Sequence, residues 1–345
     1  MMLSTSSTDI QLPSPRPVGL AKYRDMTEMA RGGNGVLYSA YDQIVGRTVV
    51  LKTLLPEHRL DRGYRRRLLR EARVTAQLEH PGTVPVHEIG EDEEYGIYYA
   101  MKRISGENFF SVLRQLAKGD QRVAEAFPLH RRIEVIRDTC QTLMFAHASG
   151  VIHRDVKPEN IWVGNFGEVT LLDWGSAKVW GESAFGDRRY PTSRTRSSET
   201  GDGSDAVQHT ETSYELPPLT PANLMIGTPT YMSPEQISDR EIDERSDVFS
   251  AGICLYEAMA IAEPFRGRTR DETFDNICMR QPTPPSERSP QRQIPKEADR
   301  IVAKAIAKRR ASRYQTMREL IAELDELLLV VRQQEDGARQ QEDNE

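Results

Sequence analysis

The chain has 345 residues, with 46 Lys and Arg against 52 Asp and Glu, a formal net charge of -6 and 38% hydrophobic residues. That length allows one large domain or two small ones, each able to bury a core. The acidic balance excludes a protein built mainly to coat nucleic acid, and no run approaches the roughly 18 uncharged apolar residues that a spanning helix needs.

Residues 1–22 are rich in Ser, Thr and Pro (Pro13, Pro15, Pro17) and carry no apolar period, so a flexible tail is expected there. Met1 to Leu20 has neither a basic leader nor an apolar segment of signal-peptide length, and a cytoplasmic location is expected. From Tyr23 to Met101 the pattern is short strands and one helix. Val49-Val50-Leu51-Lys52 and Tyr98-Tyr99-Ala100-Met101 are strand-like, and Tyr64 to Leu78 is helical and dense in arginine.

Beyond residue 106 helices take over. Leu129, Ile133, Ile136, Cys140, Leu143 and His147 fall on one helical stripe, with Pro128 at its start and Gly150 at its end. Ile161-Trp162-Val163 and Val169-Thr170-Leu171-Leu172 form a hairpin joined through Gly164-Asn165-Phe166-Gly167. Residues 180–224 hold a dozen Ser and Thr and few aliphatic side chains, too little to build a core. Helical patterns resume at Ser246 and end with Met317 to Val331; residues 332–345 are a polar Gln/Glu-rich tail. Leu320, Leu324, Leu327, Leu328 and Val331 fit packing onto the large lobe better than a coiled-coil seam. Three scattered cysteines (Cys140, Cys254, Cys278) and seven histidines suggest neither a disulfide framework nor a zinc site.

The segment richest in chemistry is His153-Arg154-Asp155-Val156-Lys157-Pro158-Glu159-Asn160, followed thirteen residues later by Asp173-Trp174-Gly175. The hairpin between them returns Asn160 and Asp173 to one edge. Upstream, Ala30-Arg31-Gly32-Gly33-Asn34-Gly35-Val36-Leu37 is a glycine cluster placed ahead of the strand that carries Lys52. Gly227-Thr228-Pro229-Thr230-Tyr231-Met232-Ser233-Pro234-Glu235 is a second discriminating block.

Together these motifs resemble a bacterial, eukaryotic-like Ser/Thr protein kinase, and the resemblance runs from Tyr23 to Val331. It implies an α+β, two-lobed fold: a small antiparallel β-rich N-lobe with one helix (residues 23–101), a hinge (102–106) and a larger, mainly helical C-lobe (107–331). The activation segment would cover 173–235, with its polar insertion at 180–224.

The resemblance implies that Asp155 accepts or orients the substrate hydroxyl proton and that Lys157 offsets charge on the moving phosphoryl group. Lys52 would contact the ATP phosphates and pair with Glu71, and Asn160 and Asp173 would hold Mg²⁺, with Mn²⁺ as an alternative. ATP would lie against Ala30, Arg31, Gly32, Gly33, Asn34, Gly35, Leu37, Val50 and the gatekeeper Met101, with Lys102 and Ile104 in the hinge. Ala30 and Trp174 depart from the family pattern, which has Gly and Phe there. Trp174 is expected to pack beneath the helix bearing Glu71.

By the same resemblance Thr228 bridges Asp155 and Lys157, Glu235 pairs with Arg313, and Asp247 holds the backbone at 153–155. Arg154, before the catalytic aspartate, implies activation by a phosphorylated segment, for which Thr220 is the first candidate and Thr210, Thr212 and Ser213 follow. The expected reaction is γ-phosphoryl transfer from ATP to Ser/Thr of protein substrates, with autophosphorylation that self-association would serve in trans. The arginines around Glu71 are expected on a solvated helix face, not on a nucleic-acid site. Two alternatives are a pseudokinase scaffold binding partners through the insertion, and a small-molecule phosphotransferase, which has no use for Gly227 to Glu235.

Overall fold

A computed structural model of the chain describes residues 17–33, 35–180, 229–238 and 240–342. Five strands, β1 (Tyr23–Gly32), β2 (Gly35–Asp42), β3 (Arg47–Thr53), β4 (Val86–Asp92) and β5 (Gly96–Lys102), form one antiparallel sheet in the order β1-β2-β3-β5-β4. Helix α1 (Arg62–Gln77) enters between β3 and β4. Asp61 starts it, its Oδ1 accepting from the N-H groups of Gly63 and Tyr64 at 2.8 and 2.9 Å, which satisfies two orphan donors of the first turn. The helix runs two residues earlier than Tyr64 because of this cap.

Pairs of residues on α1 face different cores. Leu68 and Ala72 pack with Leu54, Ile97 and Tyr99 of the small lobe, whereas Val74 and Leu78, just past the helix, join the large-lobe core. One helix therefore touches the packing of both lobes.

The large lobe starts with the short strand β6 (Glu107–Asn108), then α2 (Phe109–Ala117), α3 (Gln121–Ala126) and α4 (Leu129–Ala148). The stripe read in the sequence is the buried face of α4, with Leu129, Ile133, Ile136, Cys140 and Leu143 all in the core. Pro128 is its N-cap, and Gly150 adopts φ +74°, the left-handed turn that ends helices and that glycine takes without a Cβ clash.

Strand β7 (Val151–Ile152) leads into the loop at 153–160. The hairpin strands β8 (Ile161–Val163) and β9 (Val169–Leu171) follow, and β10 (Lys178–Val179) pairs back with β7. Beyond them lie α5 (Pro234–Ile237), α6 (Arg245–Ala260), α7 (Arg270–Met279), α8 (Pro285–Arg288), α9 (Lys296–Ala305) and α10 (Met317–Glu342). Helix α6 is buried from Ser246 to Ala260, and it is the central post of the lobe. This small antiparallel β-lobe beside a helical lobe is the expected α+β, two-lobed kinase fold.

Helix α10 differs from the expectation at its end. Leu320, Leu324, Leu327, Leu328 and Val331 are buried in the large-lobe core as expected, but the helix continues through Glu342 where a polar tail was read. Good helix formers fill that stretch, and two contacts tether it to α4: Arg332 pairs with Glu134, and Glu335 accepts from the backbone N-H of His130 at 3.2 Å. The polar composition hid the helix because its anchors are ion pairs, not apolar residues.

Candidate active site

The loop at 153–160 is shaped from beneath by one buried carboxylate. Asp247 on α6 accepts from the N-H groups of His153 and Arg154 at 2.9 and 2.8 Å and meets His147 Nε2 at 2.8 Å. Burial alone would raise its pKa, but the hydrogen bond and charge of His147, with the backbone donors, hold it below the usual carboxylate range. Arg154 is thereby kept at φ 67°, a left-handed conformation a non-glycine residue adopts only when its surroundings impose it.

That bend presents Asp155. Its Oδ2 accepts from Lys157 Nζ at 2.7 Å and from Asn160 Nδ2 at 3.3 Å, and the same Nδ2 donates to the Asp155 carbonyl at 2.9 Å. Burial pushes the Asp155 carboxyl up from its ordinary value, more than Lys157 pulls it down. With Nδ2 engaged, Asn160 has its Oδ1 left to face a cation.

Asp173 reaches the same edge through the hairpin. Leu172 N donates to Asn160 O at 2.8 Å, and Asp173 follows at φ 63° with its Oδ1 taking Gly175 N at 3.3 Å. Burial would raise the Asp173 carboxyl, yet the nearby Lys52 and His153 charges, Gly175 N-H and Lys157 hold it low, so it is ionised. Trp174 is 2% exposed, sets its ring edge-on to His153 at 4.6 Å and donates Nε1-H to Leu171 O at 3.3 Å, a bond a phenylalanine could not make.

Lys52 on β3 reaches Glu71 on α1, and the two form a buried ion pair. Burial would lower the Lys52 ammonium, but Glu71, with Tyr99 and Asp173, outweighs it and raises it. These groups border a cavity of about 410 Å³ between the lobes, within the range of small-ligand sites.

Of the residues named from the sequence, Ala30, Arg31, Gly32, Gly33, Gly35, Leu37, Lys52, Glu71, Met101, Asn160 and Asp173 line the cavity. Val50 lies buried on β3 opposite Met101, and neither it nor Lys102 nor Ile104 borders the cavity. Asp155 and Lys157 stand beside it through Asn160. Asn34, Thr228, Thr220, Thr210, Thr212 and Ser213 lie outside the described residues. Thr75, Val84, Tyr99 and Leu171 line the cavity unanticipated. Strand alternation could have found Tyr99, two residues before Met101, and helix spacing Thr75, one turn after Glu71.

The donor set fits a divalent cation and a phosphate ligand together. Asn160 and Asp173 offer hard oxygens, and among the described residues no group of three or more His, Cys, Asp and Glu could hold a metal by itself. Ligand oxygens would have to complete the shell, as phosphates do for Mg²⁺. A second ion pair is structural: Arg313 donates Nη1 and Nη2 to the two oxygens of Glu235 at 2.7 and 2.8 Å, both residues being buried.

Comparison with known proteins agrees with this geometry. The protein kinase domain family matches residues 23–323. The chain belongs to the protein kinase family. The kinase is 32% identical over 305 residues to the serine/threonine-protein kinase PknD of Chlamydia trachomatis, covering 87% of this chain and 31% of that protein. It is 30% identical over 315 residues to PknD of Chlamydia felis, and 28% over 319 residues to PknD of Protochlamydia amoebophila. In both cases the match covers 90% of this chain, and it covers 31% and 30% of those proteins. The kinase thus spans about a third of the length of these curated relatives. Its family uses ATP and a divalent metal and acts on proteins. The scaffold alternative would need a lost catalytic group, and Lys52, Glu71, Asp155, Asn160 and Asp173 are all present. Among the described residues no helix is long and apolar enough to cross a membrane.

Proposed function

We propose that the chain is an active protein Ser/Thr kinase that moves the γ-phosphoryl group of ATP to Ser or Thr hydroxyls of protein substrates. The observation that carries this is the convergence of Lys52, Glu71, Asn160 and Asp173 on one cavity, with Asp155 and Lys157 at its edge.

Asp155 orients the incoming hydroxyl and takes its proton, and its raised pKa suits a group that must both accept and release one. Lys157, 2.7 Å from Asp155, offsets negative charge on the transferring group. Lys52, fixed by Glu71, offers its ammonium to the other phosphates, and Gly32, Gly33 and Gly35 let the backbone approach them without an intervening Cβ. Asn160 and Asp173 would hold Mg²⁺, or Mn²⁺ in its place. When bound, that cation draws phosphate oxygens together and neutralises charge that builds in the reaction.

Arg154 is depressed first by burial and then by the positive charge of Arg70, and its Nε donates to Ser176 O at 2.5 Å. Such a like-charged pair favours an added phosphate, and Thr220 is the proposed acceptor, modified in cis or by a second copy. Thr228 is the proposed bridge between Asp155 and Lys157. The catalytic unit is taken as residues 23–331, with cytoplasmic action.

The test is incubation of the chain with γ-labelled ATP, Mg²⁺ and a generic basic protein, followed by mapping of phosphate by mass spectrometry. Wild type labels the substrate and itself between residues 180 and 227, and Asp155→Asn or Lys52→Met lowers the rate at least about a hundredfold. Equal labelling by wild type and both variants would sink the assignment.

A further inference from the structure

The best-placed unassigned group is a tyrosine hydroxyl at the back of the cavity. In the β3/β5 ladder Tyr99 stands directly opposite Lys52, which puts the two side chains on the same face of the sheet. Tyr98, its neighbour, points to the other face, into a separate cluster with Tyr23 and Leu51. Tyr99 is 3% exposed and donates Oη-H to Glu71 Oε1 at 2.8 Å, the same oxygen that takes the Lys52 ammonium. Burial pushes this phenol well above its ordinary value, with the Glu71 charge adding to the rise, so it is a neutral donor at any working pH.

We propose that Tyr99 is a positioning residue for phosphoryl transfer: its hydroxyl holds the Glu71 carboxylate, and through it Lys52, against the cavity even when no nucleotide is bound. The inference rests on the kinase reading of the cavity. A Lys–Glu pair alone joins two long, rotamer-rich side chains across two elements, and ordering both costs entropy. Tyr99 adds a short, packed donor from a central strand, one that needs no help from Lys52. The other carboxylate oxygen is aimed at the Asp173-Trp174-Gly175 turn, where a Cβ added at Gly175 would stand 3.2 Å from Glu71 Oε2. Glu71 is thereby fixed on the sheet side by two donors and closely approached by the turn on the other. α1 is held in its inward position by the strand as well as by the ion pair.

The test uses the full chain and Tyr99→Phe, which keeps the ring and removes only the O-H. Without nucleotide, amide hydrogen exchange across the Glu71 turn of α1 accelerates about tenfold, the scale of one lost hydrogen bond to a charged group. kcat falls by about tenfold while KM for ATP moves less than about twofold, since an aligned lysine matters most in the transition state. Tyr98→Phe, which removes a hydroxyl on the opposite face, changes neither. In a Lys52→Met background Tyr99→Phe accelerates the same amides further, because Glu71 Oε1 then loses both donors. Should Tyr99→Phe not fold, Glu71→Ala removes the acceptor instead and must speed the same amides. Unchanged exchange in Tyr99→Phe, in both backgrounds, overturns the proposal. A wild type without phosphotransfer would sink the kinase reading alone, and the exchange comparison would still decide what Tyr99 does.

Discussion

Glu257 on α6 is 7% exposed and accepts from Tyr231 Oη at 2.6 Å, at the foot of the segment that leads into α5. Burial raises its carboxyl from the ordinary 4.5 to about 7, the Glu263 and Glu159 charges adding to the rise against the Tyr231 hydrogen bond. A folded-state value above the unfolded one means that the fold binds this proton more tightly. The associated stability is therefore complete below about pH 4.5 and lost as pH rises through about 7. The loss at pH 8 is up to about 3 kcal/mol by the linkage relation. Glu257→Gln keeps the acceptor and removes the ionisation. Its urea midpoint should exceed wild type at pH 8 and converge with it near pH 5, and parallel curves across that range would contradict the assignment. Glu235 and Arg313 are the opposite case, a buried carboxylate whose bidentate partner keeps it ionised, and stranding either charge typically costs about 3–5 kcal/mol.

Among the elements α1 carries the most consequence, because it bears Glu71 and reaches both cores. Its arginines divide by position. Arg62, Arg66 and Arg73 are exposed, Arg65 pairs with Glu91 at 2.9 Å, and Arg70 is half-buried, its charge lowering the Arg154 guanidinium. The expected solvated face is thus only part of the pattern, since helical spacing could not say which arginine would be drawn out of solvent. The N-cap is the element's clearest local determinant. Asp61→Ala should cost about 1 kcal/mol in chemical denaturation, with Asp61→Ser recovering most of it. An unaltered midpoint in Asp61→Ala would mean that packing of Leu68 and Ala72, not the cap, sets the start of the helix.

At the scale of the whole molecule the cavity lies between lobes with separate cores, so a ligand that touches both is a cross-brace. ATP with Mg²⁺ at a hundred times its dissociation constant should stabilise the fold by about 2.7 kcal/mol. Thermal scans should show that gain as a rise in midpoint, lost on chelation and much reduced in Asp173→Asn. An equal rise in the chelated sample would argue against Asn160 and Asp173 as cation ligands. The two lobes, the buried stripe of α4 and the loop at 153–160 were legible in the sequence, the first two because periodicity and caps are local properties of the chain, the loop because its charged residues match a family motif at fixed spacing. The hairpin's return of Asn160 and Asp173 to one edge was legible for the same reason. The helical run of α10 past Val331 was not, since its anchors, Glu134 and the backbone of His130, lie on α4, some two hundred residues away. Nor was the hydroxyl of Tyr99 on Glu71, for that depends on sheet register and on the seating of α1 against the sheet. Sequence alone determined which chemical groups the protein has and the order in which it strings them. Tertiary structure alone decided which of them share a buried oxygen, because burial and distance, not spacing along the chain, set the strength of such contacts.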